Sequence, residues 1–210
     1  MLKLAKGHIE ITLALTTLIP IFFFYSLIYN WIAIFIPINV LLLAGHLYFF
    51  RDPSRKILKN TKNLLAPADG KVYEILPDDG VIRIRMSIFN VHVNRWPISG
   101  KITMISTLSG KNWPFLSFIR RGTDENSKKT VSLRNEIGNF EIVQIVGMIA
   151  RRCIIYGKQE EEIRQGKRMG MIRYGSEVDI HFPTEKYQIL VQKGDRTKAG
   201  ITVLAEYKEG

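Results

Sequence analysis

A mainly β domain, an antiparallel sandwich or barrel-sandwich, carrying an N-terminal α-helical membrane hairpin is the fold class that three observations predict. Two uncharged apolar runs open the chain, Ile11 to Tyr29 and Trp31 to Phe50. Short β-branched segments separated by glycine turns fill the rest. No βαβ alternation and no Gly-rich phosphate loop interrupts them, which disfavours a nucleotide-binding fold. With 46% apolar and 23% charged residues among 210, global disorder is excluded.

Each apolar run is about 20 residues, or about 30 Å as a helix, the thickness of a bilayer core. Asn30, between Tyr29 and Trp31, suits a tight turn at the far interface. Lys3 and Lys6 precede the first run, and Arg51, Arg55 and Lys56 follow the second. The positive-inside rule then puts both ends in the cytoplasm. A cleaved signal peptide is disfavoured, because a second apolar run follows the first at once. Pro20, Pro37, Asn39 and His46 leave open whether residues 1–50 span the bilayer or only dip into it.

Residues 51–210 form the second predicted domain. Arg51-Asp52-Pro53-Ser54-Arg55 is a polar linker. Strands are expected at Lys71–Leu76, Val81–Ser87, Val91–Trp96 and Lys101–Thr107, with turns at Asp69-Gly70, Asp79-Gly80, Ser99-Gly100 and Ser109-Gly110. Val81 to Met86 alternates with period two after its first residue, as a half-buried strand does. Residues 111–138 are polar and irregular, and are expected to be a long functional loop. Phe140–Ile149 reads as a strand, and Glu160-Glu161-Glu162 as part of a short helix. Strands resume at Met171–Tyr174, Val178–Phe182, Tyr187–Gln192 and Ile201–Tyr207.

Lys and Arg number 30 against 19 Asp and Glu, a net charge of +11. Residues 1–50 hold only Lys3, Lys6 and Glu10, so +10 falls on the remainder. An anionic membrane surface is the expected partner. Nucleic acid is not expected, because the basic residues are scattered and no nucleic-acid motif is present. The single cysteine, Cys153, excludes an internal disulfide framework, and it reads as a buried, inert thiol. His8, His46, His92 and His181 lack metal-ligand spacing, so no metal is expected.

Three motifs carry chemistry: Ala66-Pro67-Ala68-Asp69-Gly70-Lys71-Val72, Phe89-Asn90-Val91-His92-Val93-Asn94-Arg95, and Gly170-Met171-Ile172-Arg173-Tyr174-Gly175-Ser176-Glu177-Val178-Asp179-Ile180. Singly, each has a bland reading. Asp69-Gly70 makes a good hairpin turn, His92 suits a strand, and Gly175-Ser176 suits a turn or bulge.

Together, in this order and behind an apolar hairpin, they resemble the short, membrane-associated phosphatidylserine decarboxylases. The resemblance runs from about Arg51 to Leu204, and Met169 to Ser176 is its most specific piece. Where longer members have Leu-Gly-Ser-Thr, this chain has Tyr174-Gly175-Ser176-Glu177. Gln192 to Leu204 is similar, more weakly, to lipoyl-type barrel-sandwich hairpins, without their modified lysine.

The resemblance implies a proenzyme that cuts itself between Gly175 and Ser176, giving chains of residues 1–175 and 176–210. Ser176 becomes a covalent pyruvoyl group, the only cofactor. That group forms a Schiff base with the amine of phosphatidylserine and withdraws the electrons released with carbon dioxide, leaving phosphatidylethanolamine. The chemistry needs these residue types. A serine hydroxyl is a weak nucleophile and requires a base, and His92 can accept the proton near neutral pH. Asp69 can orient His92 and stabilise its imidazolium. Gly175 presents a carbonyl with no side chain in the way. The family implies that His92 is also the proton donor in decarboxylation, and that the two cleavage products stay together as a heterodimer, which can itself dimerise. Two other readings remain: a non-enzymatic membrane-anchored barrel-sandwich module, and a membrane serine hydrolase using Ser176, His92 and Asp69.

Overall fold

The computed structural model describes residues 4–5, 8–57, 62–110, 127–146, 153–172 and 176–208, with Ser176 described by its backbone. The chain divides into two compact units, Met1–Ser54 and Arg55–Gly210.

The first unit holds α1 (Ile9–Ser26), a 3-10 turn at Asn30–Ile34 and α2 (Phe35–Phe49). Polar hydroxyls inside α1 are satisfied locally: Thr12, Thr16, Thr17 and Ser26 each donate to a carbonyl three or four residues back. No residue of α1 is buried, and large apolar side chains such as Phe24 and Leu41 lie open. A core helix of a soluble protein would bury such a stripe. The two helical stretches, of 18 and 20 residues, are long and apolar enough to cross a membrane. A bridge between Leu4 and Arg51, with the Ala5 amide donating to the Phe50 carbonyl at 2.8 Å, joins the two ends of the hairpin.

Among its described residues the second unit is mainly strand, with one 3-10 turn at Thr184–Lys186. Its described strands are β1 (Leu64–Leu65), β2 (Gly70–Leu76), β3 (Val81–Met86), β4 (Val93–Arg95), β5 (Gly100–Leu108), β6 (Lys128–Arg134), β7 (Asn139–Val146), β8 (Cys153–Ile155), β9 (Glu162–Ile163), β10 (Arg168–Ile172), β11 (Ser176–His181), β12 (Tyr187–Ile189), β13 (Arg196–Thr197) and β14 (Val203–Tyr207). All pairings among them are antiparallel. A large curled sheet runs β13-β2-β3-β11-β7-β6-β5-β9, and two small sheets run β4-β10-β8 and β1-β14-β12. The mainly β class expected from the alternating segments is therefore the class observed.

Period-two burial explains the packing. Ile82, Ile84, Val178, Ile180, Ile142 and Val131 are fully buried on one face of the large sheet. They meet Trp96, Ile98, Met169, Ile172 and Leu204 from the smaller sheets and their connections. Each such side chain removed from water contributes about 1.5–3 kcal/mol. Gly170 lets β10 approach β8, because a Cβ there would collide with the Ile154 carbonyl oxygen.

Three local expectations are corrected. Residues 111–138 are not one loop: Lys128–Arg134 is strand β6, held by β5 on one side and β7 on the other. Residues 111–126 of that stretch lie outside the described residues. Glu160-Glu161-Glu162 is not helical. Glu160 takes a left-handed φ of 68°, which turns the chain into β9. Asp69-Gly70 is not a hairpin turn, since β1 pairs with β14 and Gly70 opens β2.

Candidate active site

The polypeptide changes sheets at the Gly-Ser motif. Ile172 ends β10 in a small sheet, opposite Cys153 of β8. Ser176 begins β11 in the large sheet, opposite Met86 of β3 and Val146 of β7. Residues 173–175, Gly175 among them, make the crossing and lie outside the described residues.

His92 is tied to both banks of that crossing. On one side, β3 ends at Met86, facing Ser176, and the Ser87–Asn90 turn leads from there to His92. The turn is closed by the Ser87 amide donating to Asn90 Oδ1 at 2.7 Å. On the other side, Val93 of β4 pairs with Met171 of β10, and the Ile172 amide donates to the His92 carbonyl at 3.4 Å. The imidazole is fully buried. Its Nδ1 lies 2.9 Å from the Asn90 carbonyl oxygen. A carbonyl can only accept, so Nδ1 carries the proton and Nε2 of the neutral ring keeps its lone pair. That is the tautomer a general base needs.

Asp69 makes different contacts. Both its oxygens accept from the Arg55 guanidinium, at 2.5 and 2.7 Å, and Oδ1 also accepts from the Ala199 amide at 2.8 Å. Arg55 in turn donates to the Ala199 carbonyl at 2.9 Å. Among the described residues no hydrogen bond joins Asp69 to His92. The described bond that orients the His92 ring comes from Asn90.

Buried and half-buried polar side chains flank β11 on both faces, and Gln144, Tyr73 and Arg85 among them lie outside the motifs. On the core face, Gln144 Nε2 donates to Asn94 Oδ1 at 2.7 Å, and both side chains are fully buried. Gln144 Oε1 is buried with no hydrogen-bond partner among the described residues. Gln144 stands opposite Val178, two rungs along the ladder from Ser176 and on the same face. On the other face, Glu177 is fully buried and accepts from Tyr73 Oη at 2.8 Å and from Arg85 Nε at 2.6 Å. Arg85 also lies over the Tyr73 ring, 4.3 Å from its centroid. Burial first, and the Glu177 charge second, push the Tyr73 hydroxyl well above the ordinary phenol range. Arg83 continues the row, 2.8 Å from Glu74 and 3.4 Å from Asp179.

A cavity of about 770 Å³, with walls that include Phe182, Tyr187 and Val191, is not here. Phe182 is six residues along from Ser176, about 20 Å away at 3.3 Å per strand residue. A smaller cavity of about 260 Å³ has Val146 and Cys153 in its wall, the partners of Ser176 and Ile172. Burial pushes the Cys153 thiol up to about 12, against the opposing pull of Lys129. At neutral pH it is protonated and unreactive. No group of three His, Cys, Asp or Glu able to hold a metal is found among the described residues.

Comparison with known proteins decides the family. The phosphatidylserine decarboxylase family model matches residues 42–205. The phosphatidylserine decarboxylase proenzyme of Chlorobium limicola is 39% identical over 177 residues, covering 80% of this chain and 82% of its own. That of Syntrophus aciditrophicus is 36% identical over 208 residues, covering 94% and 93%. A putative archaetidylserine decarboxylase proenzyme of Methanosarcina mazei is 40% identical over 160 residues, covering 76% and 74%. The chain belongs to the phosphatidylserine decarboxylase family.

The family match spans the sheet crossing and every side chain of the site described above. Of the motif residues, the fold brings His92 and the backbone of Ser176 to one crossing, while Asp69 pairs with Arg55. Sequence reasoning missed several residues. By sequence Arg55 is a charge flanking the apolar run, and nothing in its local pattern marks it as a partner of Asp69. Arg83 and Arg85 on one strand facing Asp179 and Glu177 on the next did leave a signal: two charges of each sign, spaced by two. Asn94 lies inside the His92 motif, but Gln144, its partner, left no signal, since an isolated amide in a strand is ordinary.

Proposed function

We propose that this decarboxylase-family chain matures by cutting its own backbone between Gly175 and Ser176, and that it decarboxylates phosphatidylserine to phosphatidylethanolamine with the resulting pyruvoyl group. The observation that carries the reading is the sheet crossing flanked by a fully buried His92 whose Nδ1–H is engaged by Asn90.

His92 Nε2 takes the Ser176 hydroxyl proton, and the oxygen attacks the Gly175 carbonyl carbon. The peptide becomes an ester. Elimination across Ser176 Cα–Cβ releases the Gly175 carboxylate, and hydrolysis with loss of ammonia leaves a ketone at position 176. The crossing suits a cut. Its strands are anchored in different sheets, so β10 and β11 each keep two ladder partners after the bond breaks. The small chain, 176–210, stays in place because β11 lies between β3 and β7 and β14 lies between β1 and β12. These ladders support a heterodimer of the two products.

The site fits the pyruvoyl group: a core-facing row and a buried histidine flank a position with no competing charge among its immediate ladder partners, Met86 and Val146. The ketone supplies an electron sink for the lipid amine and for the electron pair released with carbon dioxide. His92 then returns a proton from Nε2 to the substrate carbon. Asp69 remains the candidate for steadying this histidine, acting from its place beside Arg55. The apolar hairpin holds the enzyme at the cytoplasmic face of the cell membrane, where the head group reaches the site from the bilayer. The archaetidylserine enzyme named among the relatives points to the serine-phosphate head as the part recognised.

Intact-mass analysis tests the reading. Wild type is expected as two chains, the smaller beginning at position 176 with a blocked, hydroxylamine-reactive N-terminus, and Ser176→Ala as one chain. An unbroken wild-type chain would favour a non-enzymatic module, and one that also reacts with a fluorophosphonate would favour a serine hydrolase. Either overturns the proposal.

A further inference from the structure

The small cavity beside the crossing carries an assignment of its own, which rests on the reading just given. Its wall includes Ser109, Ser127, Lys128, Lys129, Val146 and Cys153, and its volume is about 260 Å³. Val146 pairs with Ser176, and Cys153 pairs with Ile172. The cavity therefore touches both banks of the sheet crossing, and whatever fills it lies next to position 176.

The lining is cationic and hydroxylic. No carboxylate contributes to it among the described residues. Lys129 pairs with Gln144, two rungs along from the one that holds Val146 and Ser176. Its charge reaches Cys153 across the cavity. Lys128, the next residue out, and the Ser109 hydroxyl add donors to the wall, while the Ser127 hydroxyl is held by the Gly110 backbone. Both lysines are half-buried, which weakens solvent screening of their charge. At the rim, Leu108 is exposed and apolar.

We propose that this cavity is the subsite for the phosphodiester of the lipid head group, with Lys129 as its principal cation. Size supports a head group alone: sites that enclose a whole drug-sized ligand run to roughly 300–1,000 Å³. The acyl chains stay outside, past Leu108. Chemistry separates the phosphodiester from the serine carboxylate, the other anion on the substrate. The carboxylate must leave as neutral carbon dioxide. A lysine paired with it would stabilise the ground state more than the transition state and slow the reaction. A lysine on the phosphodiester binds a charge that persists through the reaction, lowering KM while leaving kcat alone.

Kinetics on the processed enzyme, purified in detergent and diluted below the detergent's micellar concentration for assay, test this, with Lys129→Gln, Lys129→Arg and Lys128→Gln. The substrates are a short-chain phosphatidylserine below its micellar concentration and long-chain phosphatidylserine in vesicles. Glycerol 3-phosphate serves as a competing anion. Lys129→Gln is expected to cleave normally, to raise KM for the monomeric lipid tenfold or more with kcat within about threefold, and to weaken inhibition by glycerol 3-phosphate to a similar degree. Lys129→Arg should recover most of the KM, and Lys128→Gln should show a smaller rise. An unchanged KM on monomeric lipid overturns the assignment. If KM then rises on vesicles alone, the lysine serves only attraction to an anionic surface. A fall in kcat at constant KM, or loss of cleavage in both Lys129 variants, overturns it as well. A wild-type chain that is uncut or ketone-free defeats the maturation reading instead, and mass analysis shows that separately.

Discussion

The two faces of β11 bury polar atoms in opposite ways. One face carries charge: Glu177 between Tyr73 and Arg85, and Asp179 beside Arg83. The other carries neutral amides, Gln144 and Asn94, and in that row Gln144 Oε1 has no partner among the described residues. Burying a charge is tolerable only when it is paired, so the charged face sets its groups against one another as ion pairs and anchors the strand, although Arg83 Nε, 3.4 Å from Asp179, makes no hydrogen bond among the described residues. A neutral amide can remain partly unsatisfied at smaller cost, which leaves capacity for a substrate. By register, Ser176 belongs to the neutral row. The side of the sheet that holds charge in pairs is structural, and the side that holds spare hydrogen-bonding capacity is where chemistry is proposed.

The largest expected effect is on the neutral side. His92→Ala should slow self-cleavage by about 100-fold or more, the usual contribution of a general base, as followed by gel or mass spectrometry over time. Normal processing would remove His92 from the base role.

Asp69→Asn comes next, because it tests both sides at once. It neutralises the partner of Arg55 in a nearly buried pair, whose side chains are 8% and 12% exposed. A loss of about 3 kcal/mol is expected. If Asp69 works only through Arg55, the purified variant still cleaves at near wild-type rate below its lowered Tm. If Asp69 steadies His92, cleavage slows at every temperature.

On the charged side, Glu177→Gln should keep cleavage and lower stability by about 2–3 kcal/mol, since Arg85 is 37% exposed and can rehydrate. For a domain of this size that is a Tm fall of about 4–12 °C by calorimetry. A cleavage defect at full stability would break the division between the two faces.

Cys153 gives the smallest effect. Burial holds its thiol near 12, so alkylation of the folded protein at pH 8 should be at least about 100-fold slower than in urea. The rate should keep climbing above pH 9, where an open thiol levels off. Stability contributed by the neutral thiol is complete below the ordinary thiol pKa and declines as pH rises towards 12. Fast labelling at pH 8 would show the thiol to be ionised in place.

Much of the fold was legible. Val81–Met86 announced itself by alternation, because one face of that strand is core and the other is not. Strand β6 was hidden, since Lys128-Lys129-Thr130 has no apolar period, and it is a strand only because β5 and β7 supply ladders on both sides. The Glu160 segment looked helical by composition, but a left-handed residue overrides local preference. At the site, His92 was legible from its motif, whereas the Asn90 carbonyl that sets its tautomer is a backbone atom present at every position and leaves no mark in a sequence.

The sequence alone determined which groups with chemical capacity exist, where the chain turns apolar enough for a bilayer, and which family the motifs belong to, because side-chain identity and periodicity are local properties. Tertiary structure decided who meets whom. Glu177 with Arg85, Gln144 with Asn94, and Lys129 with the cavity wall depend on register between strands far apart in the chain. A shift of one residue would exchange the faces of a strand, so those partnerships are set by packing the whole domain at once.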